Sequence, residues 1–483
     1  MNLLFASAEL APFAKTGGLA DVCAALPRAL AARGHDVRPF LPLYRRVLES
    51  GVRPVPVRGL QGLSMRIGAR ALRFSIAAAA LPGSEMPVYF VNCPSLYDRP
   101  GIYTRDPDEH VRFVALGWAA LVAAQHMGFR PDVVHVHDWH TAIVPLLMKV
   151  RFGWDRLFAR SRTVLTIHNL AHQGIVPAAA LPDTGLGDAA HLFHQDHLRE
   201  GWFGFLETGV LYADAVSTVS PTYAREIQTN EGGGRLAPLL RARSSTVVGI
   251  LNGIDEDAWN PATDPHLPAR YGPDDLSGKL LCKRALLGEL GLPFDPAVPV
   301  AGVVARLTAQ KGLELVLDAV PPLLEAGRLQ LVVLGSGAPF YERGFEALAR
   351  RFPRAVAFRR GFSERLAHRI EAGADLFLMP SRFEPCGLNQ MYSMRYGTPP
   401  VVRRTGGLAD TVTHFDRRSA RGTGFVFEHF DAAGLRWALG EALACWQDRP
   451  AWATLVRNAM AGRFGWNVRV ERYERLYESL SRS

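Results

Sequence analysis

Cysteine is scarce in this chain: 5 residues in 483, at Cys23, Cys93, Cys282, Cys386 and Cys445, far apart and with no CxxC pair. An odd, scattered set points to free thiols in a reducing compartment, and against a disulfide frame or a structural zinc. Long apolar runs are missing too. No stretch approaches ~18 uninterrupted apolar residues, so no membrane span is expected. The opening MNLLFASAEL has neither a basic n-region nor a long apolar h-region. It reads as a buried first strand rather than a signal peptide, and the expected location is cytoplasmic. Like charges are not gathered in runs. The formal net charge is +9, but the basic residues are mostly Arg and dispersed. That argues against a nucleic-acid partner and suits a small anionic substrate or a polyphosphate donor.

The common nucleotide and metal signatures are absent as well. No GxGxxG follows the first strand, and Gly335-Ser336-Gly337 lacks the third glycine. Gly272 to Gly278-Lys279 has the wrong spacing for a P-loop, with Leu280 where Ser or Thr is needed. There is no HExxH and no carboxylate cluster, so no metal site is expected.

What is present is a long alternation of short apolar runs and helical patterns. A single hydrophobic core stops growing at roughly 250–300 residues, so 483 residues imply two domains. Hydrophobic content of 48% and charged content of 21% are those of an ordinary globular protein. Strands are expected at 1–9, 35–40, 86–92, 132–137, 162–167 and 215–219, with an inserted β region over 51–81. A second series is expected at 245–251, 298–304, 330–334, 355–359, 376–380 and 400–403, with helices such as 312–326 and 345–352 between. Strands separated by helices mean βαβ units and parallel sheets. The expected division is an N-terminal Rossmann-like domain over 1–243, a C-terminal one over 244–465, and a terminal helix over 466–483 folding back toward the first. The polar stretch Arg241–Ser245 is the expected hinge.

One segment has an echo. Lys15-Thr16-Gly17-Gly18-Leu19-Ala20-Asp21 recurs as Arg404-Thr405-Gly406-Gly407-Leu408-Ala409-Asp410. Each places a cation and a Gly-Gly turn before an expected helix, a geometry suited to anions. A plain strand-to-helix turn is the alternative. His135-Val136-His137-Asp138-Trp139-His140 ends a strand, where open α/β sheets bind ligands. Hydrogen bonding of Asp138 to sugar hydroxyls is favoured there over metal ligation by His135 and His137. Trp139 is either core or a flat face for a sugar ring. His168 and Asn169 end the next strand in the same way, with a satisfied core histidine as the alternative. Arg306 and Lys311, five residues apart where a strand meets a helix, suit a diphosphate, Arg as a fork and Lys as a point charge. Glu384, in Ser381-Arg382-Phe383-Glu384-Pro385-Cys386-Gly387, can hold a sugar hydroxyl and a developing positive charge. Transferases of the E-x7-E type carry a second Glu eight positions on, but position 392 is Tyr392. Cys386 has no basic neighbour in sequence to activate it and reads as packing or a sugar neighbour.

Eight segments stand in a fixed order: KTGGLADV, HVHDWH, TIHNLAHQG, ADAVSTVSPTYAREI, LNGID, RLTAQKGL, SRFEPCGLNQ and RTGGLADTV. From about residue 2 to about 470 the set resembles bacterial glycogen synthases and plant starch synthases. The resemblance implies a GT-B fold, two Rossmann-like α/β domains facing each other across a deep cleft. It implies a retaining glucosyl transfer from ADP-glucose to a glycogen or malto-oligosaccharide acceptor, with no metal and no cofactor. By motif, Lys15, Gly17, Gly18, Arg306 and Lys311 are expected at the diphosphate. Asp21, Asp138, His168, Asn169, Glu384 and Cys386 are expected around the glucose, with Gly406, Gly407 and Leu408 beside phosphate or sugar and Tyr97 near the sugar. Glu384, His168, Arg306, Lys311 and Lys15 are the expected catalytic set. The chain departs from the family at Glu207, where Lys is usual, at His172 and at Asn389. A UDP-glucose-dependent enzyme of the same fold and a catalytically silent glucan-binding protein stay open as other readings. Oligomeric state has no signal in the sequence.

Overall fold

The Asn-Leu-Leu-Phe-Ala run that opens the chain forms β1 (Asn2–Ala6), buried from Leu3 onward, as a strand covered on both faces of a parallel sheet must be. The computed structural model describes residues 1–482; Ser483, the last residue of the expected terminal segment, lies outside the described residues. The following strands are β2 (Asp36–Pro42), β3 (Val55–Pro56), β4 (Leu63–Ile67), β5 (Arg70–Ala80), β6 (Pro87–Asn92), β7 (Val133–His137) and β8 (Arg162–Ile167). A small antiparallel pair, β9 (Ile175–Pro177) and β10 (Trp202–Gly204), precedes β11 (Ala215–Thr218) and β12 (Val247–Gly249). The main sheet runs β12-β11-β8-β7-β1-β2-β6-β5-β3. It is parallel as far as β6. The inserted region then adds β5 antiparallel on β6, with β3 and β4 antiparallel on β5.

The second sheet is formed by β13 (Val300–Leu307), β14 (Gln330–Gly337), β15 (Val356–Arg360), β16 (Leu376–Met379), β17 (Pro400–Arg403) and β18 (Phe425–Phe427). Its order is β15-β14-β13-β16-β17-β18, parallel throughout. Phe345, Leu439 and Leu455, on three different helices, are buried in its core. The expected helix over 312–326 is two helices, Leu313–Ala319 and Pro321–Glu325. The Pro321-Pro322 pair supplies no amide to continue the first of them.

The chain forms two compact units, one of Met1–Val219, Ala224–Gly253 and Trp466 onward, the other of Ser220–Tyr223 and Ile254–Gly465. The expected boundary at 243/244 is corrected to Gly253/Ile254. The apolar run expected to open the second domain is β12, which pairs in parallel with β11 and completes the first sheet. Nor is Arg241–Ser245 a free polar hinge. The Arg243 guanidinium donates to the carbonyls of Val210, Leu211 and Ala213 at 2.6, 3.0 and 2.6 Å. It satisfies the end of the helix Phe205–Tyr212. The terminal helix Trp466–Ser481 belongs to the first unit. Glu474 accepts from Arg33 at 2.7 Å and lies 3.0 Å from His35, and the Tyr477 hydroxyl is 2.8 Å from His135 Nδ1.

Candidate active site

In the first unit the chemistry collects at the C-terminal ends of three adjacent strands, β1, β7 and β8. After β1 the chain reaches Glu9, buried at 3% exposure. Its carboxylate accepts from the Thr16 amide at 2.5 Å, the Thr16 hydroxyl at 2.6 Å, the Gly17 amide at 3.2 Å and the Tyr103 hydroxyl at 2.6 Å. The glycine loop is therefore moulded around an internal carboxylate. The Gly17 amide, expected at a phosphate, is donated to Glu9. Gly18 opens the helix Gly18–Ala32, and Lys15 is ion-paired at 2.7 Å with Asp21 in the first turn of that helix. Lys15 is exposed and Asp21 half-buried, so the pair is weak and the ammonium remains available.

β7 delivers Asp138, which sits with φ of 53°, in the left-handed region that Asp tolerates better than most residues. Its Oδ1 accepts from the backbone amides of His168 at 2.6 Å and Asn169 at 3.3 Å. Burial pushes the Asp138 carboxyl up to about 7, against the lowering effect of those two hydrogen bonds. Asp138 was expected to face sugar hydroxyls; one of its oxygens instead fixes the loop after β8. The histidines of the same strand ends are interior. His135 lies 2.8 Å from the Tyr477 hydroxyl and 2.6 Å from Thr166 Oγ1, while His137 Nδ1 and His168 Nε2 lie 3.0 Å apart. Burial holds His135 and His168 down at about 3 and His137 well below the ordinary imidazole value, so the rings are neutral. Neutral rings can shape the loop but supply no positive charge. The same unit has a cavity of about 770 Å³ lined by Trp139, His172, Gln173, Glu109 and Arg235.

In the second unit the ends of β13, β16 and β17 bring three sequence motifs together. Arg306 is exposed at the end of β13, without an ion pair among the described residues. Lys311 ends the short turn that follows, and Gly312, with φ of 62°, lets the chain pass the Pro380 carbonyl, which an added Cβ would meet at 2.0 Å. The Arg382 amide donates to the Gln310 carbonyl at 2.9 Å. These contacts set Lys311 Nζ 2.7 Å from Glu384 Oε2, which also accepts from Ser381 Oγ at 2.9 Å. The second Gly-Gly lies against the same backbone. The Gly407 amide donates to the Glu384 carbonyl at 3.0 Å, and added Cβ atoms at Gly406 and Gly407 would meet the carbonyls of Glu384 at 1.9 Å and Cys386 at 2.1 Å. Glycine is required there by the close approach of two backbone segments. The Leu408 side chain is fully buried and its amide donates to the Thr405 carbonyl. Cys386 is buried beside Glu384, and the Asn389 carboxamide donates to the Val304 carbonyl at 2.7 Å, bracing β13 just before Arg306.

Tyr97 is corrected to a core residue: it is fully buried and its hydroxyl donates to the Arg112 carbonyl at 2.8 Å. Tyr103 is the tyrosine that meets the glycine loop, through Glu9. Glu9 escaped the sequence reading altogether. The one signal was a lone carboxylate between the first strand and the Gly-Gly turn.

Two α/β units with parallel sheets, each carrying its polar groups at the carboxyl ends of its strands, define a glycosyltransferase of the GT-B class. A family model described as the starch synthase catalytic domain matches residues 2–242, and one described as glycosyl transferases group 1 matches residues 292–458. The glycogen synthase of Anaeromyxobacter dehalogenans strain 2CP-1 is 48% identical over 492 residues, covering 100% of this chain and 99% of its own. Glycogen synthase 1 of Geobacter sulfurreducens is 44% identical over 490 residues, covering 99% and 96%. Among solved structures, the catalytic domain of starch synthase IV from Arabidopsis thaliana, bound to ADP and acarbose, aligns with a TM-score of 0.90 at 36% identity, over 100% of this chain and 99% of that one. Sucrose-phosphate synthase from Thermosynechococcus elongatus, at 17% identity and a TM-score of 0.60 over 99% and 98%, shares the fold. The chain belongs to the glycogen and starch synthase family, whose reaction is glucosyl transfer in glycogen synthesis.

Proposed function

We propose that the chain transfers glucose, with retention of configuration, from ADP-glucose to the non-reducing end of an α-1,4-glucan such as glycogen or a malto-oligosaccharide, in the cytoplasm, with no metal ion or other cofactor. The observation that carries this reading is the Lys311–Glu384 pair at the end of β13, with Arg306 exposed on the same strand end. A lysine ammonium has three N–H donors, and one hydrogen bond to Glu384 leaves two for a diphosphate. Arg306 and Lys311 would meet the charge that grows on the leaving group. ADP in the Arabidopsis relative supports an adenine nucleotide donor. The acarbose in that relative, and the Trp139-lined cavity here, support a glucan acceptor. Among the described residues no helix is long and apolar enough to cross a membrane.

Retention through a covalent intermediate calls for paired carboxylates about 5 Å apart, one of them a free nucleophile. Two buried carboxylates of the first unit are engaged otherwise: Glu9 holds the glycine loop and Asp138 holds the loop of His168. Front-face attack fits better. The acceptor hydroxyl approaches the anomeric carbon on the side the diphosphate leaves. The new C–O bond forms as the C–O bond to phosphate breaks, and the hydroxyl proton passes to the departing phosphate oxygen. The Glu384 carboxylate, held by Ser381 and Lys311, would stabilise the oxocarbenium character. Exclusion of water would limit donor hydrolysis. The test is incorporation of radiolabelled glucose into glycogen by the pure, chelator-treated protein. Incorporation from ADP-glucose well above that from UDP-glucose is expected. Preference for UDP-glucose would establish the rival donor, and no incorporation from either would establish a silent glucan-binding protein.

A further inference from the structure

We propose that His194, His197 and Glu207 form a binding site for one divalent transition ion, of the zinc type, separate from the transfer chemistry. His194 precedes and His197 lies within the helix Gln195–Arg199, and Glu207 lies in the first turn of Phe205–Tyr212. A spacing of three residues brings the two imidazoles to one side, with ring centroids 4.1 Å apart and planes 21° from parallel. Trp202 covers His197 at 3.8 Å and 24°. The candidate ligand atoms of the three residues all lie within 4.8 Å of one another.

The pairing inside the cluster is incomplete without a further group. His197 Nδ1 is 2.8 Å from Glu207 Oε1. Yet, among the described residues, neither that nitrogen nor His194 Nδ1 has a hydrogen-bond partner, and both are shielded from solvent. Nitrogen and carboxylate are close, but not along the line a hydrogen bond needs. Glu207 is itself buried, its side chain 6% exposed, and a buried carboxylate calls for positive charge or hydrogen bonds. Zinc takes imidazole nitrogen at about 2.0–2.1 Å and carboxylate oxygen at about 2.0–2.2 Å in tetrahedral geometry, which sets neighbouring donors about 3.3 Å apart. The three candidate atoms, all within 4.8 Å of one another, lie near that spacing, and three protein ligands would leave the fourth position to water. Two imidazoles and a carboxylate are also a donor set that favours zinc over calcium or magnesium.

The position suggests what the ion does. The start of the helix bearing Glu207 is tied to the loop after His168, through the Phe205 amide on the Gly174 carbonyl at 3.0 Å and the Leu206 amide on the Gln173 carbonyl at 3.1 Å. Gln173 and Gly174 line the cavity beside Trp139. An ion joining the two helices would brace that loop, and the three residues would serve the stability of the fold.

Zinc and cobalt binding to the metal-free full-length protein provide the test. One equivalent of Zn²⁺ is expected by calorimetry, with Co²⁺ giving the intense visible absorption of a low-symmetry site and Zn²⁺ raising Tm by several degrees. His194→Ala, which keeps the His197–Glu207 pair and so the fold, is expected to abolish the Co²⁺ spectrum and the Zn²⁺-dependent rise in Tm. Glu207→Gln is expected to weaken binding at least tenfold. Chelation is expected to lower Tm and leave kcat unchanged. No stoichiometric binding, or His194→Ala binding Zn²⁺ as the wild type does, would overturn the site. Loss of turnover on chelation would overturn its separation from the transfer chemistry.

Discussion

Lys311 Nζ and Glu384 Oε2, 73 residues apart in sequence, lie 2.7 Å apart at the carboxyl ends of β13 and β16. The pair joins the cation meant for a leaving diphosphate to the carboxylate meant for the sugar, so each holds the other in position. Removing Lys311 would leave Glu384 buried and unpaired, which costs about 3–5 kcal/mol in comparable pairs. Lys311→Ala is therefore expected to lose both turnover and stability. Arg306→Ala separates the two effects, because Arg306 is exposed at the strand end. Its kcat is expected to fall roughly 10²–10³-fold with Tm unchanged, and wild-type rates would reject the diphosphate role.

Glu384→Gln keeps the size of the side chain and an acceptor for Ser381 but removes the charge that faces the oxocarbenium ion. A fall in kcat of at least 10² is expected. Mass spectrometry of wild type and variant with a slow donor analogue is expected to show unmodified protein. A glycosyl adduct on any carboxylate would replace front-face attack by a two-step mechanism.

Asp138 makes stability depend on pH. Burial raises its carboxyl from 3.8 to about 7 in the folded protein. A group whose folded value is raised binds more protons folded than unfolded in between, so its contribution is full below about pH 3.8 and is lost as pH rises through about 7. At about 1.4 kcal/mol per unit the swing is on the order of 4 kcal/mol. Asp138→Asn keeps an acceptor for the His168 and Asn169 amides and cannot ionise. Relative to the variant, the wild type is expected to lose stability by urea unfolding between pH 4 and 7; parallel curves would contradict the buried acid.

Glu9→Gln would leave one carbonyl oxygen to serve the Thr16 and Gly17 amides and the Tyr103 hydroxyl. A cost of about 1–3 kcal/mol is expected, together with a rise in donor KM larger than the fall in kcat. Tyr103→Phe removes a single donor and is expected to do less, while Tyr97→Phe is expected to cost stability and leave KM alone. A KM effect from Tyr97 rather than Tyr103 would reverse their assignment.

The strand-end motifs were readable from sequence because each is a local pattern: an apolar run, a polar residue or Gly-Gly turn, then helical spacing. Lys15, Arg306, Lys311, Glu384 and Gly406 all fall where that pattern places them. Glu9 was not readable, since its partners are the amides of a loop several residues on and no spacing marks it. Tyr97 and Tyr103 stand in one short stretch, and only tertiary burial tells the core tyrosine from the one at the glycine loop. The domain boundary slipped because a three-residue strand such as β12 carries no mark of which sheet it joins. Glu207 stood out as a departure from the family, but its meaning depends on His194 and His197, which no local pattern connects to it.

The most direct measurement is a crystal structure of the protein with ADP. The diphosphate is expected to be hydrogen-bonded to the guanidinium of Arg306 and the ammonium of Lys311, with no metal ion bridging its oxygens. A diphosphate bound away from Arg306 and Lys311, or reaching the protein only through a metal ion, would contradict the proposal that these cations do the work of charge neutralisation.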